Sequence, residues 1–348
     1  MWGLLHDIGH GPFSHLFDDV ILNERGLDHE IIGAKILRES ELPKELTPES
    51  NMTIKIDDVA KLFEVKALDE WPMNGQIGGS SVSETIFYYI CRGAYSADII
   101  DYLLRDSYFT GAGYGNIDWE RLVEASEPFK DKILLDPRAE EAFDSLLLAR
   151  LFMFYTVYYH RTTRAAVKVA SYFLKEAATK LNNFDSFLEN VKEYETLDES
   201  FLLFHPSLKD CKYRKWLVER KIPYSRLGKD LRCTIDTRIS DYLNENIATQ
   251  RTRQKLKSPL GNKLPEEAFF VDTPKFVLHP VLGEEEKEIY LKDSSKPEGY
   301  RIRKTWDTSW GTLKQEVMLL RLFIHDDYRE YENAIRDAFE KGHPETHY

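Results

Sequence analysis

Apolar residues recur at helical spacing through most of the first half of the chain and fall into shorter, more strand-like runs in the second. Leu4, Leu5 and Ile8 give an apolar side to a helix over residues 4–10, which is expected to stop near Gly11 because Pro12 cannot continue it. His15 and Asp18 are three apart and belong to a second short turn or helix. Asp28 reads as the N-cap of a helix whose stripe contains Ile31, Ile32, Ala34, Ile36 and Leu37. Residues 56–63 read as a short helix. Pro43, Pro48 and the Gly/Ser-rich stretch at 71–81 read as loops, the latter without any Walker pattern.

A further helix carries SADIIDYLLRD. Asp98, Asp101, Tyr102, Arg105 and Asp106 share one face, and Ile99, Ile100, Leu103 and Leu104 fill the other. After Pro137 the pattern stays helical to residue 182, through ARLFMFYTVYYHRTTRAAVKVASYFLKEAATKL. Lys212, Arg214, Lys215, Arg220 and Lys221 surround Trp216 and Leu217 in an amphipathic helix. The basic run at 251–257 reads as a solvated face. Strands are predicted over 268–278, 287–291 and 317–324, although the LLRLF core of the last fits a helix as well, and a final helix over 327–341. The fold is therefore expected to be mostly α: a helical bundle over residues 1–185, then a smaller α+β region over 186–348.

Composition narrows the function. The 348 residues carry a net charge of −12, which argues against broad, charge-driven nucleic-acid binding. Cys91, Cys211 and Cys233 form no CxxC and read as reduced thiols of a cytoplasmic protein. No apolar run approaches the roughly 20 residues that span a bilayer, and no signal peptide is evident.

The chemistry concentrates in LLHDIGHGPFSHLFD, residues 4–18. His6, Asp7, His10, His15 and Asp18 fall within fifteen residues, and Gly9 and Gly11 allow backbone or ligand to come close. Imidazole and carboxylate together suit a divalent metal of intermediate hardness. HDIGHGPFSHLFD resembles the signature of HD-domain phosphohydrolases, most closely the dGTPase-like, deoxynucleoside triphosphate triphosphohydrolase branch that includes the vertebrate sterile-alpha-motif enzyme. DYLLRD and the aromatic-glycine loop after it extend the resemblance, which is firm for residues 1–185 and thin beyond.

The resemblance implies an HD-domain bundle and a metal-dependent phosphohydrolase that converts a dNTP to deoxynucleoside and triphosphate. It maps one divalent ion (Mn, Mg, Fe, Co or Zn) onto His6, Asp7 and Asp98. It maps proton transfer onto His15, held by Asp18, and onto His29, beside Glu30. His10 is implied to touch phosphate, and Tyr102 and Asp106 to touch sugar and phosphates. YYHRTTRAA resembles the family helix that turns tyrosine, histidine and arginine toward the nucleotide, here Tyr159, His160 and Arg164; an aromatic stripe packed inside the bundle reads the same residues. A homo-oligomer is implied as well.

The chain departs from the family at two points. Ile99 stands where a basic residue normally follows the metal aspartate. A helical segment that supplies a further histidine precedes the signature in the family, whereas Met1 lies five residues before His6. The chain is thus expected to be N-terminally truncated or to do without that ligand. The alternatives are another HD nucleotide phosphatase or phosphodiesterase, or a nucleotide-binding protein impaired in catalysis.

Overall fold

A computed structural model describes residues 2–42, 56–64, 84–234, 245–256, 263–277, 288–304, 307–308, 311–312 and 316–343. The loop expected at 71–81, Pro43, Pro48 and the outer ends of the strands at 278 and 287 lie outside the described residues. The described chain is mostly helical, with its longer strands toward the C-terminus, as the hydrophobic pattern predicts. It divides into two compact units. Among the described residues no helix is long and apolar enough to cross a membrane.

The first unit takes in Met1–Ile100, Ser126–Leu134 and Val167–Lys221, so residues 186–221 fall with the N-terminal hundred. Its organising helix is His29–Glu39. Asp28 caps it, accepting the Ile31 amide at 2.8 Å, as its position just before the apolar stripe implies. The helix buries residues on two sides. Ala34 and Leu37 join Leu5, Val59, Ala60 and Phe63, the last three from the helix Ile56–Glu64. Ile32 and Ile36 join Phe17, Ile21, Leu22, Phe173, Leu174, Tyr194 and Leu202. Fully burying each such leucine or phenylalanine contributes about 1.5–3 kcal/mol. The basic helix forms over Lys212–Val218, with Tyr213 and Leu217 against the second of these clusters, but stops short of Arg220 and Lys221, since Arg220 has φ 55°.

The second unit takes in Asp101–Ala125, Leu135–Ala166 and Ile222–Tyr348. Its main sheet is centred on Glu316–His325, a strand and not the alternative helix. That strand pairs antiparallel with Tyr224–Thr234 on one side, and with Phe269–Asp272 and Lys275–Val277 on the other. Phe323 and Phe270 are register partners, and their rings stack at 4.8 Å. The helices Glu245–Lys255 and Glu332–Gly342 contribute Ala248, Ile335, Ala338 and Phe339 to a core with Leu227, Phe269, Val271, Leu322 and Ile324. Within the basic run, Arg253 donates to the carbonyls of Leu264, Pro265 and Glu266, so it ties a loop down.

His343 closes this unit. It is 1% exposed, and Thr252 Oγ1 lies 3.1 Å from its Nε2. Burial pushes its imidazole down to about 4, with Arg251 adding to the effect. A depressed histidine destabilises the fold on the acid side. Stability is complete above the unfolded value near 6.5 and drains as pH falls through the folded value. The shift corresponds to about 3 kcal/mol. His343→Leu is expected to remove most of that loss: by urea titration the wild type should lose stability between pH 7.5 and pH 4.5, and the variant much less. Parallel pH dependences would show that the ring does not titrate in this range.

The helical pattern expected from Pro137 to residue 182 is interrupted. The α-helix Glu140–Met153 passes into a π-turn at Phe154–Tyr158, and a new helix runs Arg161–Lys180. The break falls on FYTVYY, aromatic and β-branched residues that lose rotamer freedom in a helix. Thr156 and Thr163 donate their hydroxyls to the Phe152 and Val157 carbonyls.

Candidate metal centre

The helix expected over residues 4–10 does not form: α-helical structure ends at Leu5, and residues 6–9 are turns. His10 donates its amide to Asp7 O at 3.1 Å, and Ile8 donates to Leu5 O at 3.0 Å. Tertiary packing overrides the local pattern. Gly9 is pressed against the first turn of His29–Glu39, so closely that a Cβ there would lie 1.9 Å from His29 O and 2.4 Å from Gly33 N. Turning the chain at this point brings His6, Asp7 and His10 over the N-terminus of that helix. Gly11 has the same close-approach role against the Phe17 ring.

The turn places His6 Nε2 3.3 Å from Asp7 Oδ1 and 3.4 Å from Asp98 Oδ1. Asp98 sits in the first turn of the helix Ala97–Thr110, whose start is fixed by the buried Ser96 hydroxyl accepting the Ile99 amide at 3.3 Å. His6 Nδ1 lies 3.1 Å from Gly3 O. Donation from Nδ1 to that carbonyl fixes the tautomer that leaves the Nε2 lone pair facing the two carboxylates. Hydrogen bonding to Asp98 raises the His6 pKa, burial opposing it and Asp7 adding to it. The contact with His10 holds Asp7 below the usual carboxylate range. A proton and a cation therefore compete for the same nitrogen. One imidazole and two carboxylates, with ligand atoms all within 4.8 Å of one another, fit a divalent ion that takes nitrogen and oxygen donors.

A second group adjoins the first. His10, His15, Asp18 and His29 also bring their donor atoms within 4.8 Å of one another. His29 Nδ1 lies 2.5 Å from Asp18 Oδ2, and His15 Nδ1 lies 3.8 Å from the same oxygen. Burial works against ionisation of Asp18, yet His15 and His29 outweigh it and hold its carboxyl far below the ordinary range. Asp18 in turn raises the His15 pKa. The His10 ring stacks on His29 at 3.9 Å and meets His15 edge-on at 4.6 Å, while its Nε2 reaches Asp7 Oδ1 at 3.5 Å. His10 thus links the two groups.

Tyr102, Asp106, Tyr159, His160 and Arg164, the remaining candidate nucleotide contacts, lie in the second unit. Asp106 accepts the Tyr158 hydroxyl at 2.5 Å, and the Tyr102 and Tyr158 rings are 6.3 Å apart. Burial and Asp106 push the Tyr158 pKa up. Tyr158 was not legible as a site residue, because straight helical spacing pairs Tyr155 with Tyr159. The π-turn, closed by Tyr159 N on Phe154 O at 2.8 Å, adds a residue to that turn and swings Tyr158 onto Asp106. Arg164 donates to Asp272 at 2.9 and 2.7 Å, and its guanidinium lies 5.8 Å from the Tyr159 ring centre. His160 is exposed, and its Nδ1 accepts the Thr162 amide at 3.3 Å. Asp101 and Arg105 form the ordinary surface pair, and Ile99 is buried.

Comparison with known proteins finds family matches over two stretches of the chain. Residues 1–76 match the family model described as HD domain, and residues 117–214 match that described as HD associated region. The chain is 29% identical over 219 residues to the uncharacterized protein YwfO of Bacillus subtilis, covering 58% of this chain and 45% of that one. It is 28% identical over 211 residues to a Dictyostelium discoideum homolog of deoxynucleoside triphosphate triphosphohydrolase SAMHD1, covering 58% and 37%. A solved structure of a hypothetical protein from Aquifex aeolicus shares the fold with a TM-score of 0.65 at 22% identity, over 97% of this chain and 79% of that one. The chain spans less than half the length of either curated relative.

Proposed function

The chain belongs to the HD superfamily, and on that premise we propose that it hydrolyses nucleotides, taking a dNTP to deoxynucleoside and triphosphate. The observation that carries the reading is the meeting of His6, Asp7 and Asp98 beside a carboxylate, Asp18, that holds two imidazoles. His6, Asp7 and Asp98 would hold a divalent cation, which supplies Lewis-acid stabilisation of charge on a phosphoryl oxygen.

The chain's own groups handle the protons. Water adds to the α-phosphorus as the bond to the 5′ oxygen breaks. One imidazole takes the proton that water loses, and another hands a proton to the leaving 5′ oxygen. Asp18 raises the His15 pKa, which favours its protonated form and suits the donor role. Asp18 fixes the His29 ring for the other. His10 sits between the two groups, where it can meet a phosphate. The nucleotide contacts proposed for Tyr102, Asp106, Tyr159, His160 and Arg164 follow from the sequence resemblance.

The buried Ile99 favours a second reading, a protein that binds nucleotide without turning it over, since no cation occupies that position. The two separate on incubation of the full chain with each of the four dNTPs and Mn, Mg or Co, followed by phosphorus NMR of the products. Inorganic triphosphate is expected. Orthophosphate or pyrophosphate would instead indicate another HD phosphatase activity, and no product with any metal would leave the binding reading.

A further inference from the structure

The segment that carries His6, Asp7 and His10 and ends at His15 is built from turns, so no helix ladder of its own sets its shape. It is also strained. Phe13 has φ 67°, and Ser14 has φ 55° with ψ −131°, left-handed values that non-glycine residues seldom adopt. Such conformations persist where the surroundings over-determine them. Ser14 stands immediately before His15, so whatever holds this backbone also aims that imidazole.

Two side chains near residue 195 grip the segment from outside. Tyr194 is 4% exposed, and its hydroxyl donates to the Gly9 carbonyl at 2.7 Å. Gly9 is buried, and a buried carbonyl needs a donor. The opposite side of Gly9 is already in contact with His29 O and Gly33, so the loop is clamped between a helix and a phenol. The Tyr194 ring also meets Phe17, the neighbour of Asp18, at 6.5 Å. Glu199 opens the helix Glu199–Phe204 and accepts the Phe13 amide at 2.7 Å, while the Phe13 ring meets Phe173 at 6.3 Å. The strained residue is thereby held at both its backbone and its side chain.

We infer that Tyr194 and Glu199 are positioning residues, acting through the Gly9 carbonyl and the Phe13 amide to hold the 6–15 loop in the geometry that metal binding and proton transfer need. The catalytic consequence rests on the phosphohydrolase reading; the positioning of the loop does not.

Tyr194→Phe removes the hydroxyl and keeps the ring in the core. Mn²⁺ affinity, measured calorimetrically on the full chain, is expected to fall by about tenfold to a hundredfold. The kcat should fall with it, and KM much less. Ile36→Val, a methyl deletion in the same apolar cluster, is the control for general loosening and is expected to keep wild-type Mn²⁺ affinity. Hydrogen exchange gives a readout that needs neither metal nor substrate. Protection at residues 9–15 should drop selectively in Tyr194→Phe and in Glu199→Ala, and return in Glu199→Gln, whose side-chain oxygen can still accept the Phe13 amide. Wild-type Mn²⁺ affinity and wild-type exchange in Tyr194→Phe would overturn the inference, as would losses no larger than those of Ile36→Val, or a glutamine that restores nothing. A chain that shows these losses but hydrolyses no nucleotide would defeat the phosphohydrolase reading and leave the positioning role supported.

Discussion

Asp98→Ala is expected to lower metal-dependent hydrolysis by about a thousandfold, the several kcal/mol that Lewis-acid stabilisation supplies. The fold should survive. Asp98 lies in the first turn of Ala97–Thr110 with its side chain 43% exposed, the Ser96 cap is untouched, and alanine is a good helix former. The site should not, because one of three converging donors is gone and Asp7 is left as the one carboxylate of that group facing His6 Nε2. The checks are turnover at saturating Mn²⁺, bound metal per chain, and thermal unfolding monitored by circular dichroism. Turnover that stays at the wild-type rate with metal present would remove Asp98 from the metal centre and leave His6 and Asp7 as an unsupported pair. His6→Ala is expected to behave the same way for the same reason.

Much of this centre could be read before any coordinates, and the reasons are local. Asp28 precedes an apolar stripe and caps it; the cap depends on residues three apart, so spacing suffices. The Asp98 helix was likewise legible, since its polar and apolar faces alternate with helical period. The failures are where distant packing decides. A helix over residues 4–10 satisfies the pattern, but Gly9 is worth more against His29 and Gly33 than in a ladder, and no periodicity within ten residues can report that. Tyr194 reaches Gly9 across 185 residues of sequence through a single hydroxyl, and nothing around it marks it out. The strand Tyr224–Thr234 was missed because its middle reads as a turn. Gly228 has φ 74°, and the register jumps there from Leu231 to Leu227 opposite Leu320 to Leu322, so Lys229 and Asp230 bulge outward. The bulge has a purpose that only the fold reveals, since Asp230 accepts the Arg321 side chain at 3.1 Å.

Gly9→Ala should be the most damaging substitution of a residue that carries no functional group. The added Cβ would lie 1.9 Å from His29 O, 2.4 Å from Gly33 N and 2.9 Å from Gly33 Cα, all backbone atoms of a helix packed on both sides, which cannot give way. The 6–10 turn must therefore lift off the helix. It takes the Gly9 carbonyl from Tyr194 and exposes the apolar surface beneath, a loss of about 3 kcal/mol or more. For a chain of this size the N-terminal unit should melt roughly 5 °C or more below wild type. Gly33→Ala makes a useful contrast. Its Cβ would come within 2.8 Å of the Phe63 ring, a side chain that can shift, so a smaller loss is expected although the glycine faces the same interface. The two variants separate the effects of backbone approach from those of core volume. If the reading is right, Gly9→Ala loses Mn²⁺ affinity together with stability, whereas Gly33→Ala loses part of its stability and keeps the metal. Equal melting temperatures for Gly9→Ala and wild type would mean that the turn does not rest on the helix in solution, and the convergence of His6, Asp7 and Asp98 would lose its structural cause.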